Sequence, residues 1–116
     1  MVDAHIGRWF SKAGQERLPA EVDKVRSMIL NTPVDGFCGC CEAIRDMDQR
    51  ESIREITAPT LVIVGEQDPS TPVEAARLIH ERIGGSKLVI LSGAAHLSNV
   101  EQAEAFNEAL LGFLQP

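Results

Sequence analysis

Tyrosine is absent from the 116 residues, and the other aromatics are few: Trp9, Phe10, Phe37, Phe106 and Phe113. Any core must therefore be largely aliphatic. No run approaches the ~18 apolar residues of a membrane span. His5, Gly7 and Arg8 break the stretch where a secretory leader would carry its apolar run. Membrane and export readings are set aside on those grounds. Basic residues are the minority, 11 Lys and Arg against 17 Asp and Glu, for a formal net charge of −6. Such a chain has no broad attraction for nucleic acid or anionic lipid. Cysteine is confined to Cys38, Cys40 and Cys41, an odd number within four positions. That excludes a disulfide framework and suits a reducing cytoplasm. Cys-x-Cys-Cys lacks the Cys-x-x-Cys spacing of zinc sites and has no second ligand cluster, so no metal is expected. The thiols read instead as small buried residues on a helix face.

A hydrophobic content of 44% with 24% charge is that of a globular domain rather than of a disordered or low-complexity segment. The first half reads as helices only. Pro19 suits a first helical turn, and Val22, Val25 and Ile29 recur at helical spacing until Asn31-Thr32-Pro33 ends the segment. A second helical stretch places Phe37, Cys40, Cys41, Ile44 and Met47 on one face, weakened by Gly36 and Gly39.

After Pro59 the pattern becomes β-α-β-α. Thr60–Val64 is an unbroken, β-branched apolar run, as expected of a parallel strand covered on both faces. Thr71-Pro72-Val73-Glu74 reads as a capping box with proline in the first turn, and Ala76, Ile79 and Ile83 supply the apolar stripe. Gly84-Gly85 stops that helix. Leu88–Leu91 is the second strand, Ser98-Asn99-Val100-Glu101 a second capping box, and Ala103, Phe106, Leu110 and Phe113 the face of the last helix. A right-handed crossover makes the two strands parallel, and chemistry in such sheets gathers at the strands' carboxyl ends. Asp68 and His96 occupy that edge. Each has a plain alternative, a turn aspartate before Pro69 and a loop histidine; together, one after each buried strand, they read as acid and base. His80, next to Ile79 on a helix, reads as a solvated side chain, and the acidic excess after residue 59 as a solvated face.

The run Ala58-Pro59-Thr60-Leu61-Val62-Ile63-Val64-Gly65-Glu66-Gln67-Asp68-Pro69 resembles the second half of an α/β-hydrolase, and Gly93-Ala94-Ala95-His96-Leu97-Ser98-Asn99-Val100-Glu101 resembles that fold's last segment. The resemblance implies an α/β fold: cap helices over residues 1–47, then, over 48–116, a C-terminal portion of the core with parallel strands. It makes Asp68 the acid and His96 the base of a catalytic triad. The segment Gly36–Asp48, with Arg8-Trp9-Phe10 before it, resembles the cap of 3-oxoadipate enol-lactonases. That implies hydrolysis of a small lactone or ester in aromatic catabolism, without metal or organic cofactor. Trp9 is cap packing on the plainer reading and a substrate-binding residue on the other.

One part of the pattern is missing. None of Ser11, Ser27, Ser52, Ser70, Ser86, Ser92 and Ser98 stands in Gly-x-Ser-x-Gly, and no strand-elbow-helix precedes Asp68. Without a nucleophile and an oxyanion hole, Asp68 and His96 have nothing to activate. The chain is expected to be about half an enzyme, inactive alone, that self-associates or pairs with a missing N-terminal half. The rival reading is a non-catalytic half-domain that acts as an association module through its open strand edge.

Overall fold

The computed structural model describes residues 1–115. Four helices come first: α1 (Val2–Trp9), α2 (Lys12–Arg17), α3 (Pro19–Asn31) and α4 (Val34–Arg45). A short 3₁₀ turn (Ser52–Glu55) leads to β1 (Leu61–Gly65), α5 (Val73–Arg82), β2 (Lys87–Leu91), α6 (Ser98–Glu101) and α7 (Ala103–Leu114). β1 and β2 pair in parallel, Leu61 opposite Lys87 through Gly65 opposite Leu91, which brings both carboxyl ends to one edge. Among the described residues no helix is long and apolar enough to cross a membrane.

Ile6 of α1, Phe10 just after it and Val22 of α3 are buried together, with Leu97 and Val100 from beyond β2 packed against them. The N-terminal helices are thus joined by apolar contact to the loop that follows β2. A second apolar contact lies under α5, where Ala76 and Ile83 are buried beside the sheet.

Five local expectations need correction. The strands are only partly buried: Val64 and Gly65 of β1 and Leu91 of β2 are enclosed, while the rest of this two-stranded sheet, packed by α5 and α7, stays half-buried or exposed. Ile79 is also open to solvent, unlike Ala76 and Ile83 on the same stripe. Neither capping box forms. Pro72 takes the cap position of α5 while Thr71 turns its hydroxyl to Asp68, and Leu97 takes the cap position of α6 while Glu101 turns inward. His80 is half-buried, its Nδ1 2.8 Å from Ser86 Oγ, since the reversal at Gly84-Gly85 folds Ser86 back onto the last turn of α5. Cys38, Cys40 and Cys41 are exposed, as is all of α4, which meets its neighbours mainly through Phe37, beside His5 of α1.

Candidate active site

Gly65 sets the spacing of the carboxyl edge. A Cβ there would collide with the backbone carbonyls of Ala94 and Ala95, so the loops after β1 and β2 lie backbone against backbone. Glu66 N–H donates to Leu91 C=O at 2.9 Å and Gln67 N–H to Ala94 C=O at 2.8 Å, stitching them together. Asp68 then falls opposite His96.

The carboxylate of Asp68 is enclosed, with its side chain 4% exposed against 33% for His96. Oδ1 accepts the N–H groups of Ser70 (2.8 Å) and Thr71 (3.0 Å). Oδ2 accepts the Thr71 hydroxyl at 2.8 Å and lies 2.8 Å from His96 Nδ1. Burial opposes ionisation here. The Thr71 N–H, the His96 ring, the Thr71 hydroxyl and the Ser70 N–H together outweigh it and hold the carboxyl below its ordinary value. An ionised Asp68 can only accept, so His96 donates to it from Nδ1, and the neutral tautomer with that proton has its lone pair on Nε2. Thr71 Oγ1, already donating to Asp68, sits 3.3 Å from the same Nδ1. Such an imidazole can take a proton at Nε2 while the carboxylate behind it stabilises the resulting cation.

Trp9, at the end of α1, lies beside the imidazole, with ring centroids 6.2 Å apart. It lines two cavities of about 510 and about 470 Å³. The first also meets Lys24, Leu97 and Asn99; the second is walled by His5, Leu30 and Phe37 among others. Among the described residues no group of His, Cys, Asp and Glu is placed to hold a metal ion.

Thr71 and Glu101 were both legible in sequence only as capping residues. The Ser/Thr-x-x-Glu spacing names a cap and carries no information on Ser11, 90 positions from Glu101, whereas the Thr71–Asp68 bond, three positions apart, is as local as the cap it replaces. In the structure Thr71 serves Asp68, and Glu101, 1% exposed, bonds across to Ser11 and Ala95.

Two parallel strands whose carboxyl-end loops join an aspartate to a histidine, beneath a layer of N-terminal helices, define a partial α/β-hydrolase fold. Residues 26–116 match the family described as TAP-like protein, and the chain belongs to that family of α/β-hydrolases. It is 40% identical over 103 residues to 3-oxoadipate enol-lactonase 2 of Acinetobacter baylyi, covering 89% of this chain and 38% of that protein. A proline iminopeptidase of Saccharolobus solfataricus is 39% identical over 71 residues, 61% of this chain and 23% of its own length. Among solved structures, the enol-lactonase of Burkholderia xenovorans LB400 superposes with a TM-score of 0.94 at 34% identity, over 97% of this chain and 43% of that one. The chain thus spans about two fifths of the length of the enol-lactonases it matches.

Proposed function

We propose that this chain contributes the acid and the base of a serine-type hydrolase acting on a small carboxylic ester or lactone, of the kind opened by 3-oxoadipate enol-lactonases. The observation that supports this most is the 2.8 Å contact between Asp68 and His96 Nδ1, with Asp68 held ionised at the carboxyl edge of the strands. In this mechanism His96 Nε2 takes the proton of a serine hydroxyl as the oxygen attacks the ester carbonyl, and returns it to the departing enolate oxygen. Asp68 keeps the imidazole in the required tautomer and stabilises the imidazolium. Water, deprotonated by the same Nε2, then cleaves the acyl-enzyme. An enol-lactone suits such a site because its leaving group is a stabilised enolate.

None of the seven serines here stands in a nucleophile elbow, so the serine and the oxyanion donors come from residues outside these 116. On this reading residues 1–47 are the cap, residues 48–116 belong to the hydrolase core, and Trp9 is a wall of the substrate cavity. Three free thiols fit a cytoplasmic setting.

A direct test fuses the chain behind the N-terminal part of the Acinetobacter enol-lactonase that carries its elbow. The fusion should hydrolyse enol-lactone, while the 116 residues alone should show no turnover and no labelling by a fluorophosphonate. His96→Gln in the fusion should abolish activity; a fusion that works equally well with glutamine there would defeat the assignment. The second reading, an association module, is supported by α4, which has no buried residue, and by the unpaired edge of β1. Like the first reading, it expects the chain alone to sediment as dimers or larger species, and it differs in expecting no turnover from the fusion.

A further inference from the structure

Glu101 is the most deeply enclosed charged side chain of the described residues, 1% exposed, and the chemistry above gives it no task. Its Oε1 accepts the backbone N–H of Ser11 at 3.0 Å and the Ser11 hydroxyl at 2.7 Å. Its Oε2 accepts the N–H of Ala95, the residue before His96, at 2.5 Å. On the other side of His96, Leu97 N–H donates to the Trp9 carbonyl at 2.9 Å. The two peptides that bracket the imidazole are therefore both anchored, one through Glu101 to Ser11 and one to Trp9. Both anchors belong to the α1–α2 junction, 85 or more positions away in the chain. Surrounding residues are shaped to the carboxylate. A Cβ at Gly14 would run into Oε1, Gly14 N–H is turned to Ser11 Oγ at 2.9 Å, and Arg17 donates to the Glu101 backbone carbonyl at 2.6 Å.

We propose that Glu101 is a positioning residue for His96, which ties the peptide carrying the imidazole to the α1–α2 junction so that Nδ1 stays against Asp68. The proposal rests on the reading of His96 as the base, but its geometry is independent of where a nucleophile comes from. A carboxylate suits the place better than an amide. It offers acceptors on both sides, whereas a glutamine can accept from Ser11 or from Ala95 and must turn its NH₂ toward the other backbone N–H.

The test is Glu101→Gln in the whole chain, followed by NMR of the histidine ring protons. The parent should show a downfield, slowly exchanging His96 Nδ1–H, the mark of its bond to Asp68. In E101Q that signal should be lost to exchange with water, and the Ala95 amide should exchange about tenfold faster or more, as expected for one lost buried hydrogen bond. Amides of β1 and β2 should keep their shifts, which a merely structural role for Glu101 would not leave unmoved. If E101Q fails to fold, Gly14→Ala decides the matter, because its methyl displaces the carboxylate while leaving Glu101 in place. Persistence of the His96 signal in either folded variant, with the Ala95 amide released, overturns the proposal. So does a parent chain that lacks the signal. Loss of turnover in the fusion would instead count against the hydrolase reading, which this measurement does not touch.

Discussion

Helices α4 and α5 are similar on paper and opposite in the fold. Each carries an apolar stripe at helical spacing, Phe37, Cys40, Cys41 and Ile44 on one and Ala76, Ile79 and Ile83 on the other. α5 buries Ala76, and Ile83 just past its end, beside the sheet, whereas every residue of α4 is exposed, with Val34 at 74% and Ile44 at 62%. Periodicity reports which face of a helix is apolar. It does not report what lies against that face. The stripe on α5 found its partner within the next turn of chain, since a βαβ unit returns its helix to its own strands. The stripe on α4 has no such local partner.

Five changes should separate the two kinds of region. Phe10→Ala should cost about 3–5 kcal/mol, the usual range for emptying an aromatic core position, because Phe10 is 1% exposed between the N-terminal helices and the His96 loop. Phe37→Ala on α4 should change stability by less than about 0.5 kcal/mol. Chemical denaturation of both variants checks the contrast, and equal losses would mean that α4 is covered in solution, as the association reading requires.

Gly65→Ala should destabilise by about 1–3 kcal/mol, as overpacking does. Its methyl meets two backbone carbonyls, which cannot swing aside as a flexible side chain could. The Asp68–His96 contact should open with it, which a crystal structure or the His96 ring-proton signal would reveal.

Asp68→Asn probes the electrostatic part. The carboxyl is held below its ordinary value in the folded state, so its contribution to stability is present above the unfolded value of about 3.9 and is lost as pH falls through the folded one. Stability of the parent should therefore fall on acidification below about pH 4, and D68N should show a shallower acid limb in a pH series of melts. The smallest effect belongs to the thiols. Cys38, Cys40 and Cys41 should all react with a thiol reagent under native conditions, and replacing them by serine should leave the melting temperature within about a degree or two.

The order of elements, the parallel strand pair and the placement of Asp68 and His96 at one edge were legible in the residues. Each depends on signals a few positions long: a β-branched run, proline and glycine stops, and one polar residue after each strand. The supports of the site were not legible. Thr71 and Glu101 stand in Ser/Thr-x-x-Glu patterns, and in both cases the cap was set aside, by Thr71 for Asp68 three positions back and by Glu101 for Ala95 and, 90 positions away, Ser11. A short polar side chain or a carboxylate satisfies whichever donors the fold brings near, and a buried carboxylate with three donors is held more firmly than one reaching back along an exposed turn.

Sequence by itself determined the local grammar of this protein: which segments are helix and strand, that the strands run parallel, and which two chemically competent residues end them. Only the tertiary structure decided which stripe is buried and which is bare, that Gly65 lets two backbones touch, and that the peptides on either side of His96 are tied to the α1–α2 junction. The reason is range. Backbone sterics and hydrophobic period act between near neighbours in the chain, whereas burial and the pairing of a carboxylate depend on groups some 90 positions apart that meet only once the chain has folded.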